Sequence, residues 1–296
     1  MASTIPQAFT EFEGKLALTD YEQGLVEQRR NRVEEILKGL YPMTSDMPLS
    51  GLYVIGSARR ATMIRPIGDI DLFSIFDDTN VWLTYQSDSR KLLYRARDAL
   101  NKSYRTTIVG SRGQAVRLFY TQPPHVDIAP AFPVNGSGLL GGVQSYLIPK
   151  GDGQWEQTAP FQHTDFLSQR NQELGSQLKP LTRILKRWNA LHSARIGSFH
   201  LELIVQAVFS TIGTNRSAAL RLFFEQAPNR LDQLDPAGFS GNLAAGWTYQ
   251  HRQAVSNSLL TASNRAAKAV EAQAQGDVAE ASRLWRIILG ADFPAL

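Results

Sequence analysis

Gly56-Ser57-Ala58-Arg59-Arg60-Ala61-Thr62, followed shortly by Gly68-Asp69-Ile70-Asp71-Leu72-Phe73, are the stretches that decide the fold. The run before them, Gly51 to Ile55, is short, apolar and β-branched, and it stops at Gly56, which predicts a strand ending in a turn. Ile70 to Phe76 has the same strand character. In a strand, residues two apart share a face, so Asp69 and Asp71 project together while Ile70 and Leu72 face the core. Carboxylates are disfavoured inside strands and repel one another, so such a pair needs a positive partner. A divalent, oxygen-preferring ion such as magnesium is the natural candidate. A third carboxylate, Asp127, lies between Val126 and Ile128 in another apolar run and can complete the set from a neighbouring strand.

A glycine at the end of a strand lets backbone approach a triphosphate closely, and Ser57 then offers an N–H and a hydroxyl at a helix start. Gly-Ser alone, or Asp-x-Asp alone, occurs in many unrelated loops. A strand, a Gly-Ser turn, a strand carrying Asp-x-Asp and a later Asp, in that order, are together far more specific. The chemistry they suit is in-line displacement at an α-phosphate, with two metal ions about 4 Å apart clamping the attacking and leaving oxygens. Asp69 and Asp71 are expected to serve both ions. Asp127 is expected to serve the ion nearer the attacking hydroxyl and to help remove its proton.

The rest of the chain fits around that core. Its 296 residues suffice for a sizeable core, and 43% hydrophobic with 20% charged residues is the balance of an ordinary globular protein. With no cysteine, a disulfide framework, a cysteine zinc site and a thiol nucleophile are excluded. The start of the chain has no basic-then-apolar leader and no run is long enough to span a bilayer, so a cytoplasmic protein is expected. A net charge of +4 suits nucleotides but is mild for a nucleic-acid binder.

Thr19 to Glu22 reads as a capping box, opening an amphipathic helix through Leu40 that Tyr41-Pro42 stops. A helix from Ser87 to about Asn101 and strands over 104–109, 115–120, 126–129 and 146–148 follow, with a glycine-rich loop between Phe132 and Gln144. After Trp155 the spacing is helical: 164–174, 179–192, 199–209, 217–226, 252–275 and 277–289. This pattern predicts an α+β lobe with a mixed sheet over residues 1–160, including an N-terminal bracing helix, and a helical lobe over 161–296.

These motifs together resemble the bacterial cyclic-oligonucleotide synthases called CD-NTases, relatives of cyclic GMP-AMP synthase among the polymerase β-like nucleotidyltransferases. The resemblance is carried by Gly56-Ser57-x-x-Arg60-x-Thr62, by Asp69 to Leu72 and by Val126 to Phe132. It extends through Ile148-Pro149, Trp155, Thr158-x-Pro160 and His163 to Lys186-Arg-Trp-Asn189 and Ser198-Phe-His-Leu-Glu202. It implies an active site in a cleft between two lobes, NTP substrates and two magnesium ions, with manganese as the alternative. It also implies a cyclic di- or trinucleotide that activates an effector in anti-phage defence (CBASS). By motif position, Gly56 and Ser57 hold nucleotide, Lys186 contacts donor phosphates, Ser198 hydrogen-bonds them, and Phe199 stacks on a base where the family often has Tyr. The animal DNA sensor's cysteine zinc module has no counterpart here, so no obligatory nucleic-acid activator is expected.

From the residues alone, three functions stay open: the cyclic-oligonucleotide synthase, a related nucleotidyltransferase acting on a protein, tRNA end or small molecule, and a non-catalytic nucleotide-binding protein. Lys186 also reads as an exposed helix lysine and Ser198 as a cap for the helix it opens. The stretch His163 to Asn171 is a candidate for reading the acceptor base. Base identity, linkage and ring size are not encoded in any motif.

Overall fold

The computed structural model describes residues 2–134, 144–192 and 195–296. The glycine-rich loop expected after Phe132 lies, from 135 to 143, outside the described residues. The chain divides into two compact units. One comprises Thr19–Arg60 and Ile67–Asp165 and holds the sheet; the other comprises Met1–Leu18, Ala61–Pro66 and Phe166–Leu296 and is helical. Among the described residues no helix is long and apolar enough to cross a membrane.

In the sheet unit, helix α2 (Asp20–Leu40) starts at the expected capping box. The Thr19 hydroxyl accepts the Glu22 N–H at 3.2 Å, and the Glu22 carboxylate accepts the Thr19 N–H at 2.9 Å. Seven strands form a mixed sheet: β1 (Gly51–Val54), β2 (Asp69–Ile75), β3 (Ile108–Arg112), β4 (Ala115–Phe119), β5 (His125–Val134), β6 (Ser145–Pro149) and β7 (Trp155–Thr158). Its main path runs β1-β2-β5-β4-β3, with β6 and β7 continuing from the far part of β5. Only β2 with β5 is parallel among these pairings; the others are antiparallel.

The alternation of the strands gives the sheet two different faces. Ile70, Leu72, Val116, Leu118, Val126 and Ile128 point to one, where they meet Val33 and Leu37 of α2 and the Leu92, Leu93, Ala96 and Leu100 stripe of α5 (Ser89–Ser103). The other face carries a smaller cluster that includes Phe73, Ile75, Ala115, Ala129 and Ala131. Short helices α3 (Gly56–Arg59) and α4 (Thr79–Tyr85) complete this unit, the latter N-capped by Asp78.

The helical unit contains α1 (Ile5–Leu16), α7 (Leu178–Ala190), α8 (Ser198–Val208), α9 (Arg216–Gln226), α10 (Tyr249–Ala274) and α11 (Val278–Leu289), while the division between units falls inside α6 (Pro160–Glu173). The helix ends agree with the sequence periodicity to within a few residues. Helix α1 is new: Ile5, Phe9, Phe12 and Leu16 are all buried, and Phe9 meets Trp285 and Phe293 edge-on at 5.3 and 4.9 Å. These aromatic contacts place residues 1–18 with the helical unit, whereas the expected boundary put them in the first lobe. The Arg60–Ala61 and Pro66–Ile67 junctions likewise put a six-residue segment of the first lobe's sequence into the helical unit.

Candidate active site

Strand register builds the site. Asp71 of β2 stands opposite Asp127 of β5, and Asp127 stands opposite Arg117 of β4. Partners opposite one another in a ladder share a face, so Asp71, Asp127 and Arg117 form a row across three strands. Asp69, two residues before Asp71, belongs to the same face. The structure therefore brings the three predicted carboxylates to one surface of the sheet and adds a residue that sequence periodicity alone does not single out.

Arg117 is 6% exposed and spans the row. Its Nε donates to Asp127 Oδ1 at 2.5 Å and its Nη2 to Asp69 Oδ2 at 2.7 Å, while Nη2 also donates to Asp127 Oδ2. The planar guanidinium fork suits this bidentate contact, and the hydrogen bond to Asp127 holds the guanidinium in its charged form more firmly than usual. Part of the positive charge that the carboxylates require is thus supplied by the protein itself. Among the described residues no three acidic or histidine side chains already stand as a metal-ligating cluster. Arg117 bridges Asp69 and Asp127 instead.

One guanidinium does not balance three carboxylates. Burial, reinforced by the negative charges of Asp69 and Asp127, pushes the Asp71 carboxyl up to about 6, and the positive charges of Arg60 and Arg117 only partly oppose this. The Asp69 side chain, by contrast, is 48% exposed and forms the accessible edge of the row.

The Gly-Ser turn lies directly against these carboxylates. Gly56 has φ 64°, the left-handed region, and a Cβ there would fall 2.1 Å from Asp71 Oδ2. Only glycine meets both demands. The Ile55 N–H donates to the Asp71 carbonyl at 2.9 Å, fixing the turn to β2. Helix α3 is a single turn of four residues, too short to develop a macrodipole that would favour anions at Ser57. Ser57 is part-buried in this turn. Nearby, Arg59 lies 4.6 Å over the Phe161 ring and Arg60 is buried.

The other predicted residues lie in the helical unit. Ser198 is the first residue of α8 and exposed; Gly197 occupies the N-cap position, so Ser198 does not cap the helix. Phe199 is part-buried against the helical core. Lys186 is 7% exposed, in contrast to the surface lysine that its helix position alone suggests. Its ammonium lies 2.5 Å from Glu202 Oε1 and donates to the Thr62 hydroxyl at 2.9 Å. The Thr62 hydroxyl in turn donates to Glu202 Oε1 at 2.8 Å. Trp155 and Trp188 are packing residues: Trp155 meets Trp82 at a tilt and Phe132 edge-on, and Trp188 is 1% exposed.

Known proteins resemble this chain in sequence and fold. The family model of the Second Messenger Oligonucleotide or Dinucleotide Synthetase domain matches residues 3–171. A Bacillus cereus protein described as a probable cyclic nucleotide synthase is 27% identical over an alignment covering all of this chain and 99% of that protein. The fold is similar to that of Escherichia coli CdnC solved with ATP, with a TM-score of 0.78, 20% identity and 98% of each chain covered. It is also similar to Bradyrhizobium diazoefficiens CdnG in complex with GTP, with a TM-score of 0.75, 14% identity and 98% and 96% covered. A third similar structure is the Vibrio cholerae DncV cyclic AMP-GMP synthase with a linear intermediate, at TM-score 0.71, 14% identity and 98% and 96% covered. With a domain model matching more than half of its length and an α+β fold of the polymerase β-like kind, the chain belongs to the Second Messenger Oligonucleotide or Dinucleotide Synthetase family and is a CD-NTase, a nucleotidyltransferase of the cyclic-oligonucleotide synthases.

Proposed function

We propose that the chain joins nucleoside triphosphates into a cyclic di- or trinucleotide, with Asp69, Asp71 and Asp127 holding two divalent ions, magnesium or manganese. The observation that carries this reading is the row of carboxylates on one sheet face with Gly56 kept bare against Asp71. The donors are all hard oxygens, and their negative charge exceeds what Arg117 neutralises, so the residues fit such ions. When bound, the ions would neutralise the triphosphate and the charge developing during in-line displacement of pyrophosphate.

The chain's own groups do the positioning. Gly56 lets the triphosphate reach the carboxylates, and Ser57 offers its N–H and hydroxyl. Arg117 orients Asp127 by engaging both of its oxygens. The Asp127 carboxylate faces the acceptor hydroxyl and helps take its proton. Lys186, Ser198 and Phe199 provide a phosphate contact, a hydroxyl and a base-stacking ring for the donor. The CdnC and CdnG structures, described as bound to ATP and GTP, support NTPs as substrates. The product is proposed to act on an effector in anti-phage defence in the cytoplasm.

Incubation with all four NTPs and magnesium, followed by phosphatase treatment and mass spectrometry, tests this. A phosphatase-resistant cyclic nucleotide is expected. Transfer of a nucleotide to a separate acceptor, or no turnover, contradicts it.

A further inference from the structure

Thr62, Lys186 and Glu202 form a closed triangle of contacts, each pair within 2.9 Å. All three are below a tenth exposed, Glu202 being only 1% exposed. A carboxylate taken so completely from water persists only with charge and hydrogen-bond partners, and here both come from Lys186 and Thr62. Thr62 belongs to the segment Ala61–Pro66, which groups with the helices although the residues on both sides of it belong to the sheet unit.

Two further contacts hold the same segment. Arg183 Nη1 donates to the Ala61 carbonyl at 3.1 Å, and the Arg65 N–H donates to the Leu16 carbonyl at 3.1 Å. Ala61 has φ 57°, a left-handed conformation that disfavours any residue with a Cβ and persists where surroundings over-determine it. The segment joins the turn that carries Gly56 and Ser57 to the strand that carries Asp69 and Asp71. A displacement in it is passed along the chain to both, and errors of about 1 Å at such groups cost roughly 100-fold in rate.

We propose that Glu202 is a positioning residue: with Lys186 it grips the Thr62 hydroxyl and so sets the segment connecting the nucleotide turn to the metal-binding strand. This rests on the nucleotidyl-transfer reading above.

The test is Thr62→Val, which removes the hydroxyl at nearly constant volume and leaves the Lys186–Glu202 pair intact, set beside Thr62→Ser, which restores the hydroxyl. Amide hydrogen exchange over residues 61–71 is measured on both, together with kcat and KM. Thr62→Val is expected to speed exchange there about tenfold. It is also expected to lower kcat about tenfold with KM within about twofold, since Thr62 positions groups rather than holding nucleotide. Thr62→Ser is expected to stay within about twofold of native in all three. Native exchange and native kcat in Thr62→Val, or an equal loss in Thr62→Ser, overturns the proposal. Faster exchange in Thr62→Val with no cyclic product from the native chain keeps the grip and overturns the nucleotidyl-transfer reading instead.

Discussion

The carboxylate row on the sheet and the Lys186–Glu202–Thr62 triangle among the helices use the same kinds of residue to opposite ends. In the row, Arg117 bridges two of the three carboxylates, the third, Asp71, is raised to about 6, and the edge residue Asp69 is half exposed. In the triangle, one carboxylate meets one ammonium and one hydroxyl, all buried. An excess of carboxylate charge with one edge open to solvent is what a bound divalent ion would offset. The triangle's balanced, buried charge ties α7, α8 and the segment at Thr62 together. The contrast can be broken at four points.

The largest effect is expected from Asp69→Ala combined with Asp71→Ala. Product formation should fall by about 1,000-fold or more, the order seen when charge stabilisation of a transition state is lost. Asp127 still satisfies Arg117 in that variant, so the melting temperature should hold within a few degrees; a large fall would show the row to be structural. In the triangle the same kind of change should act first on stability. Glu202→Gln removes the carboxylate that lies 2.5 Å from the buried Lys186 ammonium and should cost about 3–5 kcal/mol in denaturant unfolding. Replacing both with Met should recover most of that loss, and a double variant as unstable as the single would contradict the ion-pair account.

Gly56→Ala tests the turn. The added Cβ meets Asp71 and the positive φ is lost to strain, so turnover should drop about 100-fold with the fold retained. A fully active Gly56→Ala protein would remove the cradle from the account. The smallest effect concerns pH. The folded Asp71 carboxyl ionises near 6 rather than at its ordinary 3.8, so its contribution to stability is full below about pH 4 and fades as pH rises through 6. In chelator, native protein should lose about 2 kcal/mol over that interval relative to Asp71→Asn, and magnesium should abolish the difference. Parallel curves for the two proteins would deny the crowding.

Much of this was legible in the chain. The helices from Pro160 onward announced themselves by apolar spacing, and Asp69, Asp71 and Asp127 by being carboxylates inside strands. Gly56 was legible as a turn, though its collision with Asp71 depends on a register that only pairing reveals. Helix α1 carried a readable signal, Ile5-x-x-x-Phe9-x-x-Phe12-x-x-x-Leu16, overshadowed by the stronger capping box at Thr19. Arg117 and Glu202 were visible as charges interrupting the apolar runs Ala115 to Phe119 and Leu201 to Val205. Their partners lie on other elements, and tertiary packing chose them. Strand β7, Trp155 to Thr158, has no alternation of burial to betray it, because all four residues are intermediate in exposure.

The carboxylate row is proposed to hold divalent metal. Manganese binding measured by electron paramagnetic resonance, with a non-hydrolysable ATP analogue present, addresses it directly. The account predicts two ions bound by the native chain and none at the same concentration by Asp69→Ala/Asp71→Ala. Equal binding by the two proteins would contradict it.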